Sequence, residues 1–449
     1  MHMGSILPTP RLLFLVLLAT PLIAGAAFVS FLNWIAVLYL LVVGGILVSD
    51  VLLSPQPDQI EAERLHDTRF SLGADNLITI LVTNTSAQPL RFTLRDEYPV
   101  ELPVDRDLLS GVAEPFGLCE LRYHVRPQRR GDYQFGDIVM RYEGILGCHQ
   151  RQVRFPASRP VQVYPNLLEA RKYDLLVRRG QLQTIGLRSI RQLGQGGEFE
   201  HLRDYTTDDE YRRINWKATA RRGKPIVAEI EAERSQHIIS VIDAGRLMTT
   251  PVADPLNPAD PGLTRLDYVV NTALMLSFVV LRKGDQAGML TFAGKVEHFI
   301  APRKGKVQFQ RLLEALYNVQ SQPVEANLSA ALHYIEQHQP RRALIVIFTD
   351  VTNPSIVQPL ITQIRRLARR HLPLLVTISD PNITGVAGRP VRDSQGLFRR
   401  LVAEQLADER RTLLEQIQRS GALTLDIPAT ELTVSVVNTY LRLKEEARL

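Results

Sequence analysis

Two apolar runs open the chain, and they constrain its fold more than anything that follows. Leu12 to Val29 has Thr20 as its one clearly polar residue and Pro21 as its one helix breaker. After Ser30–Phe31–Leu32–Asn33 a second run extends from Trp34 to about Val48, with Leu52 and Leu53 just beyond Asp50. Backbone inside hydrocarbon has to satisfy its own hydrogen bonds, so runs of this kind become spanning helices. Each approaches the ~20 residues that cross a core of ~30 Å. A cleaved signal peptide would account for the first run alone, and no clear small-residue cleavage motif precedes the second. The expectation is a transmembrane helical hairpin within residues 1–57, with helices at about 12–29 and 34–53. The connector carries no Lys or Arg, whereas Arg11 precedes the hairpin and Arg64 and Arg69 follow it. By the positive-inside rule both flanks are cytoplasmic. The expected protein is thus a two-pass protein of the cell (inner) membrane, its soluble domains in the cytoplasm.

At 449 residues the chain is too long for one ordinary core, and two or three domains are expected. A net charge of +6 suits a surface beside an anionic leaflet. It is too diffuse to displace counterions from phosphates, so no nucleic acid partner is expected. Cys119 and Cys148 have neither metal-ligand spacing nor a disulfide framework, and read as two unrelated thiols in a reducing compartment.

Residues 58–165 read as short strands punctuated by turns. Asn76–Thr83 runs into the turn cluster Asn84–Thr85–Ser86; Leu90, Phe92 and Leu94 alternate with polar neighbours, as do Leu121, Tyr123 and Val125. Arg129–Gly136 reads as a hairpin-like turn leading into a strand at Ile138–Tyr142. Many short strands at this spacing predict an immunoglobulin-like β-sandwich, in which His124 and His149 are structural. From His237 to Leu449 strands and helices alternate: buried strands at Ile238–Ile242, Gly288–Phe292, Ala343–Thr349 and Leu374–Ile378, and a short one at Leu423–Leu425. Near-continuous apolar strands separated by helices predict a parallel sheet covered on both faces. Ligands of such sheets sit at the carboxyl ends of the strands, where Asp243 and Asp350 are placed.

Between these regions, residues 166–236 read as a linker carrying one dense stretch. Glu198 to Arg234 holds nine acidic and eight basic residues, interleaved with Tyr205, Tyr211 and Trp216. Nine against eight gives no basic excess, so an ion-paired junction between domains or a partner-docking surface is expected. Trp216 is an odd choice for a merely wet surface. It is expected to be largely buried, with Arg213 and Arg221 paired to nearby carboxylates, Asp209 first among them.

This stretch resembles the signature of the membrane-associated domain of unknown function 58 family. The matching residues are Gly197–Phe199, Leu202–Arg203–Tyr205, Asp209, Arg213–Ile214–Trp216 and Ala220–Arg221. Thr207–Asp208 stands where that family usually has Pro-Gly. The candidate docking residues are therefore Arg203, Tyr205, Asp209, Arg213, Trp216 and Arg221. The carboxylate pair of the last region resembles the metal site of the von Willebrand factor A fold. There, Asp-x-Ser-x-Ser, a Thr and a second Asp supply the oxygens that Mg²⁺ demands. Here Asp243 and Asp350 remain, but Gly245, Leu247 and Ala326 replace the hydroxyl residues. Arg246 lies close in sequence, and a guanidinium could neutralise the pair without an ion. The site reads as degenerate, with no metal and no cofactor.

The chain contains no Walker A loop, Gly-x-Ser-x-Gly elbow or His-Glu-x-x-His pair. The expected architecture is multidomain: a membrane hairpin, a sandwich, and an α/β von Willebrand factor A-like (Rossmann-like) domain. The resemblance implies a non-enzymatic, membrane-anchored adaptor working with a MoxR-type AAA+ ATPase in protein-complex maturation or envelope processes. The alternatives are a metal-dependent adhesion-type receptor and, less favoured, an enzyme using the carboxylates and basic residues of 203–221.

Overall fold

The computed structural model describes residues 5–26, 28, 31–166, 199–206, 211, 214, 216–231, 235–252, 262–350, 354–379, 394–446 and 448–449. They form two compact units, Met1–Leu168 and Glu169–Leu449. The apolar helices fall in the same unit as the sandwich, and the signature stretch falls with the α/β sheet.

The first unit begins with β1 (Ser5–Pro8), a sandwich strand that precedes the apolar helices. Thr9 then caps α1 (Pro10–Leu17), accepting the Leu12 amide at 3.4 Å, with Pro at the first helical position where its missing N–H costs nothing. The first apolar run is not one helix, as expected, but two: α1 and α2 (Thr20–Ala26), separated at Leu18–Ala19. Pro21 explains the break, because it cannot donate to the Leu17 carbonyl and its ring would crowd that group. The Thr20 hydroxyl donates to the same carbonyl instead, at 2.7 Å. Only α3 (Phe31–Leu53) belongs to a helix long and apolar enough to cross a membrane among the described residues. α1 and α2 both pack on α3, and the Tyr39 hydroxyl donates to the Leu15 carbonyl at 2.8 Å.

The sandwich strands follow as β2 (Ile60–Leu65), β3 (Arg69–Ser71), β4 (Asn76–Asn84), β5 (Leu90–Asp96), β6 (Leu109–Ala113), β7 (Leu118–Val125), β8 (Gly131–Phe135), β9 (Ile138–Glu143), β10 (His149–Phe155) and β11 (Arg159–Tyr164). They pair in three sheets, ordered β1-β10-β9-β5-β6, β2-β4-β7 and β3-β11-β8. The alternation read from Leu90, Phe92 and Leu94 is the buried face of β5. Residues 131–135, read as part of a turn, form β8, whose Phe135 is fully buried. At the centre of the sandwich Arg64 is 1% exposed and bonds through Nε to Asp96 at 2.8 Å, while Tyr123 donates to the same carboxylate at 2.5 Å. Burial first, and the charge of Asp96 with it, pushes the Tyr123 hydroxyl well above its usual range. Arg64 is therefore a core residue and no longer counts as a flanking charge in the topology argument.

The second unit starts with a hairpin of β12 (Phe199–Asp204) and β13 (Ile226–Glu231), with α4 (Trp216–Arg222) between them. The α/β sheet then runs β14 (His237–Asp243), α5 (Arg265–Arg282), β15 (Gln286–Phe292), β16 (Val296–Arg303), α6 (Lys306–Asn318), α7 (Leu328–His338), β17 (Ala343–Phe348), α8 (Pro354–Ala368), β18 (Leu372–Ser379), α9 (Ser394–Arg419), β19 (Leu423–Pro428) and α10 (Leu432–Glu445). The strand order is β16-β15-β14-β17-β18-β19. Every pair is parallel except β15–β16, so the expected all-parallel sheet carries one antiparallel edge strand. Ile239, Val241, Ile345 and Ile347 face a core closed by Leu332, Ile335, Ile364 and Ile417 of α7, α8 and α9.

Candidate functional site

Parallel pairing of β14 with β17 sets Ile242 opposite Phe348, so Asp243 and Thr349–Asp350 emerge together at the carboxyl edge of the sheet. Asp243 is 2% exposed; Oδ1 accepts the Gly245 amide at 2.7 Å and Oδ2 accepts the Thr349 hydroxyl at 2.6 Å. Burial raises its pKa and the charge of Asp350 adds to that, against the lowering effect of those two hydrogen bonds. Asp350 is held differently. Arg265 bonds to its Oδ2, and the Arg410 Nη1 bonds to its Oδ1 at 2.9 Å. Arg410 also reaches Asp426 Oδ1 at 3.0 Å and the Ile378 carbonyl at 3.1 Å. Burial alone would lower the pKa of Arg410, but the carboxylates of Asp426 and Asp350 outweigh it and raise it.

Of the residues that the sequence suggested as remnants of a metal site, Asp243, Gly245 and Ala326 lie close together. A Cβ placed on Gly245 would lie 3.0 Å from Ala326 Cβ, from Asp243 Oδ1 and from the Val324 carbonyl. The Ser of an intact motif is thus crowded out at this position unless its neighbours give way. Leu247 sits on a one-turn helix over residues 246–249 and is 38% exposed. Arg246, expected to neutralise the carboxylates, is exposed and bonds to neither of them among the described residues. Arg265 and Arg410 take that part. Sequence reasoning missed both, because they come from 85 and 60 residues away. The one local signal was Thr264–Asp267, whose capping box fixes Arg265 as the first residue of α5. Chemically this is an ion-paired clasp: the Thr349 hydroxyl donates a hydrogen bond to Asp243, and both oxygens of Asp350 accept from guanidinium groups.

The signature stretch differs from expectation at its most prominent residue. Trp216 is 66% exposed, not buried. It begins a helix of seven residues, and Ile214, two residues earlier, takes the inward place at 8% exposure and bridges to Val227. Tyr211 is also exposed, and its ring lies 5.6 Å from that of Tyr205. The Tyr205 amide donates to the Pro225 carbonyl at 3.0 Å, extending the pairing of β12 and β13 at the end where the two strands are connected. Arg203 lies on β12, and Arg221 is exposed in the last turn of α4. Asp209 and Arg213 lie outside the described residues, and the expected pairing with them.

Together these elements define a multidomain protein with an apolar N-terminal helix, a β-sandwich and a later α/β sheet. The family model described as "Protein of unknown function DUF58" matches residues 201–386, from β12 through β18, and supports the resemblance read from the signature. The uncharacterized protein Rv1480 of Mycobacterium tuberculosis is 26% identical over 191 residues, covering 42% of this chain and 56% of that protein. The uncharacterized protein YeaD of Bacillus subtilis is 22% identical over 196 residues, covering 44% of each. The chain thus matches about half the length of these curated relatives. Among solved structures, the CARDB domain of the PF1109 protein from Pyrococcus furiosus is 11% identical at a TM-score of 0.17, covering 25% of this chain and 90% of that one. The MSP family member WR4 of C. elegans is 14% identical at a TM-score of 0.17, covering 23% and 97%. Likenesses at that score carry no weight for the architecture.

Proposed function

We propose that this chain is a membrane-anchored interaction protein of the DUF58 type, without catalytic activity, whose von Willebrand factor A-like unit works without a metal. The observation that carries the reading is the state of Asp350. Recognition through a cation needs carboxylate oxygens free to hold it, and here Arg265 and Arg410 bond to both oxygens. The sheet order, running outward both ways from β14 with one antiparallel edge, supports the Rossmann-like comparison. Trp216 and Tyr211, exposed within the signature, support a docking surface, since exposed aromatics anchor interfaces.

The anchor is a two-pass hairpin. β1 and β2 both belong to the sandwich, so the chain returns to the side it left, and if α3 crosses, α1 and α2 cross with it. Arg11 against an uncharged connector keeps the sandwich and the α/β unit in the cytoplasm, at the inner membrane. The resemblance supplies the partner, a MoxR-type AAA+ ATPase acting in protein-complex maturation or envelope processes. Affinity capture of the tagged full chain from solubilised membranes, with and without an ATPase-trapping nucleotide, tests this. The ATPase should be enriched with the trapping nucleotide, and its absence from both samples would refute the partnership.

A further inference from the structure

Residues 144–148 join β9 to β10, and the roots of the apolar helices grip them from both sides. Asp50, in the last turn of α3, is fully buried. Its Oδ1 accepts the Leu146 amide at 2.6 Å, and its Oδ2 accepts the Cys148 amide and the His149 Nδ1, each at 2.9 Å. Ser54 Oγ accepts the Ile145 amide at 3.3 Å. From the other root, the Thr9 hydroxyl donates to the Gly147 carbonyl at 2.7 Å. Gly147 has φ of +70°, so the turn needs glycine for its conformation, and a Cβ there would lie 2.6 Å from an Arg11 guanidinium nitrogen, which would have to shift.

The amides of Gly144 and Gly147 are satisfied within the turn, by the His149 and Gly144 carbonyls at 2.9 Å each. Together with the three bonds to Asp50 and Ser54, every backbone N–H from residue 144 to 148 has a protein acceptor. That meets the donor half of the condition for non-helical backbone at membrane depth, where water is not available to complete it; of the carbonyls, those of Gly144, Gly147 and Cys148 accept the Gly147 amide, the Thr9 hydroxyl and the Thr9 amide. The carboxylate of Asp50 is surrounded by donors in turn, which offsets the cost of a charge near hydrocarbon. The apolar side chains of the turn do none of this holding. Ile145 is 45% and Leu146 48% exposed, bonded through their amides to the same helical turn that exposes Leu52 at 73% and Leu53 at 58%. α3 has 23 residues, which at ~1.5 Å each give ~35 Å against a core of ~30 Å, so its last turn lies at the acyl boundary.

We propose that the turn Gly144–Gly147 is a third membrane-inserted element. Ile145 and Leu146 enter the acyl boundary of the leaflet from which α3 emerges, beside Leu52 and Leu53, with Arg11 at the level of the headgroups. The occupant of this surface is the lipid bilayer, and the inference rests on the membrane-anchored reading above.

The chain has two tryptophans, Trp34 on α3 and Trp216, which makes a self-controlled test available in vesicles of brominated phosphatidylcholine. One full-length variant, Trp216→Phe, reports Trp34 alone. A second combines Trp34→Phe, Trp216→Phe and Leu146→Trp, and a third carries Ile145→Trp in its place. All three should lose emission to the bromines. The tryptophan at 146 or 145 should be blue-shifted relative to Trp216, read alone in a Trp34→Phe variant, and quenched more by bromines near the carbonyls than by bromines at mid-chain. Quenching of Trp34 with none at either turn position overturns the inference and leaves the anchor standing. No quenching of Trp34 overturns the anchor itself, and the inference with it.

Discussion

Replacing Asp350 with alanine removes the acceptor that two arginines share, and the structure sets the size of the effect. The Asp350 side chain is 3% exposed, that of Arg265 12% and that of Arg410 18%. These are not the solvent-exposed pairs that contribute ~0.2–1 kcal/mol. Removing one partner of a buried pair costs ~3–5 kcal/mol, chiefly through the charge left behind. Arg410 keeps Asp426 and the Ile378 carbonyl, which holds the expected cost near ~3 kcal/mol, the lower end of that range. The amides of β14 and β17 lie in the middle of the sheet and exchange only when the α/β unit opens as a whole. At ~1.4 kcal/mol per factor of ten, their exchange should accelerate ~100-fold. The assay is hydrogen exchange read by mass spectrometry on the full chain in lipid nanodiscs. Asp350→Asn, which keeps the shape but not the charge, should fall between the alanine variant and wild type. An acceleration below ~10-fold for Asp350→Ala would mean that the clasp is screened like a surface pair, and the energetic argument would fail.

Two further outcomes follow from residues whose surroundings are equally definite. Trp216→Ala should change the unfolding free energy by less than ~0.5 kcal/mol, because two-thirds of the residue already faces solvent. The same variant should weaken capture of the ATPase; lost stability with intact capture would restore the structural-junction reading. His371 is 4% exposed, and neither ring nitrogen has a hydrogen-bond partner among the described residues. Burial, with the charge of Arg370 adding to it, pushes its pKa down from 6.5 to about 4. Between those values the unfolded chain takes up a proton that the native ring refuses, so this contribution is complete above pH 6.5 and is lost as pH falls toward 4. The loss is on the order of 3 kcal/mol. The urea midpoint of His371→Leu should therefore vary less with pH across this window than that of wild type, and an unchanged slope would count against the assignment.

The elements legible in the sequence were those whose burial is one-dimensional. β14 and β17 are covered on both faces, so Ile238–Ile242 and Ala343–Phe348 are continuous apolar runs. β4, β5 and β7 were readable from alternation. β16 was not: as an edge strand it buries only Pro302 among its eight residues, so no face stands out from its pattern. Hydropathy also read through the break before Pro21, since apolarity is silent about which residue lacks a donor. At the site, Asp243 and Asp350 were legible as strand ends. Their arginine partners were not, because a side chain from α9 arrives by tertiary packing, and the nearer Arg246 turns to solvent. Trp216 misled for a related reason: residue type predicts a preference for burial, but the inward place beside β13 is taken by Ile214, two residues before the helix that Trp216 begins.

In the proposed function, Arg265 and Arg410 stand at Asp350 where a von Willebrand A-type site would hold a cation. Thermal unfolding of the full chain with increasing Mg²⁺ or Mn²⁺, into the millimolar range, tests it most directly, because any ion bound by the native state must stabilise that state by mass action. Added metal should leave the transition unmoved, in wild type and in Asp243→Ala alike. A metal-dependent rise in wild type that Asp243→Ala abolishes would contradict it.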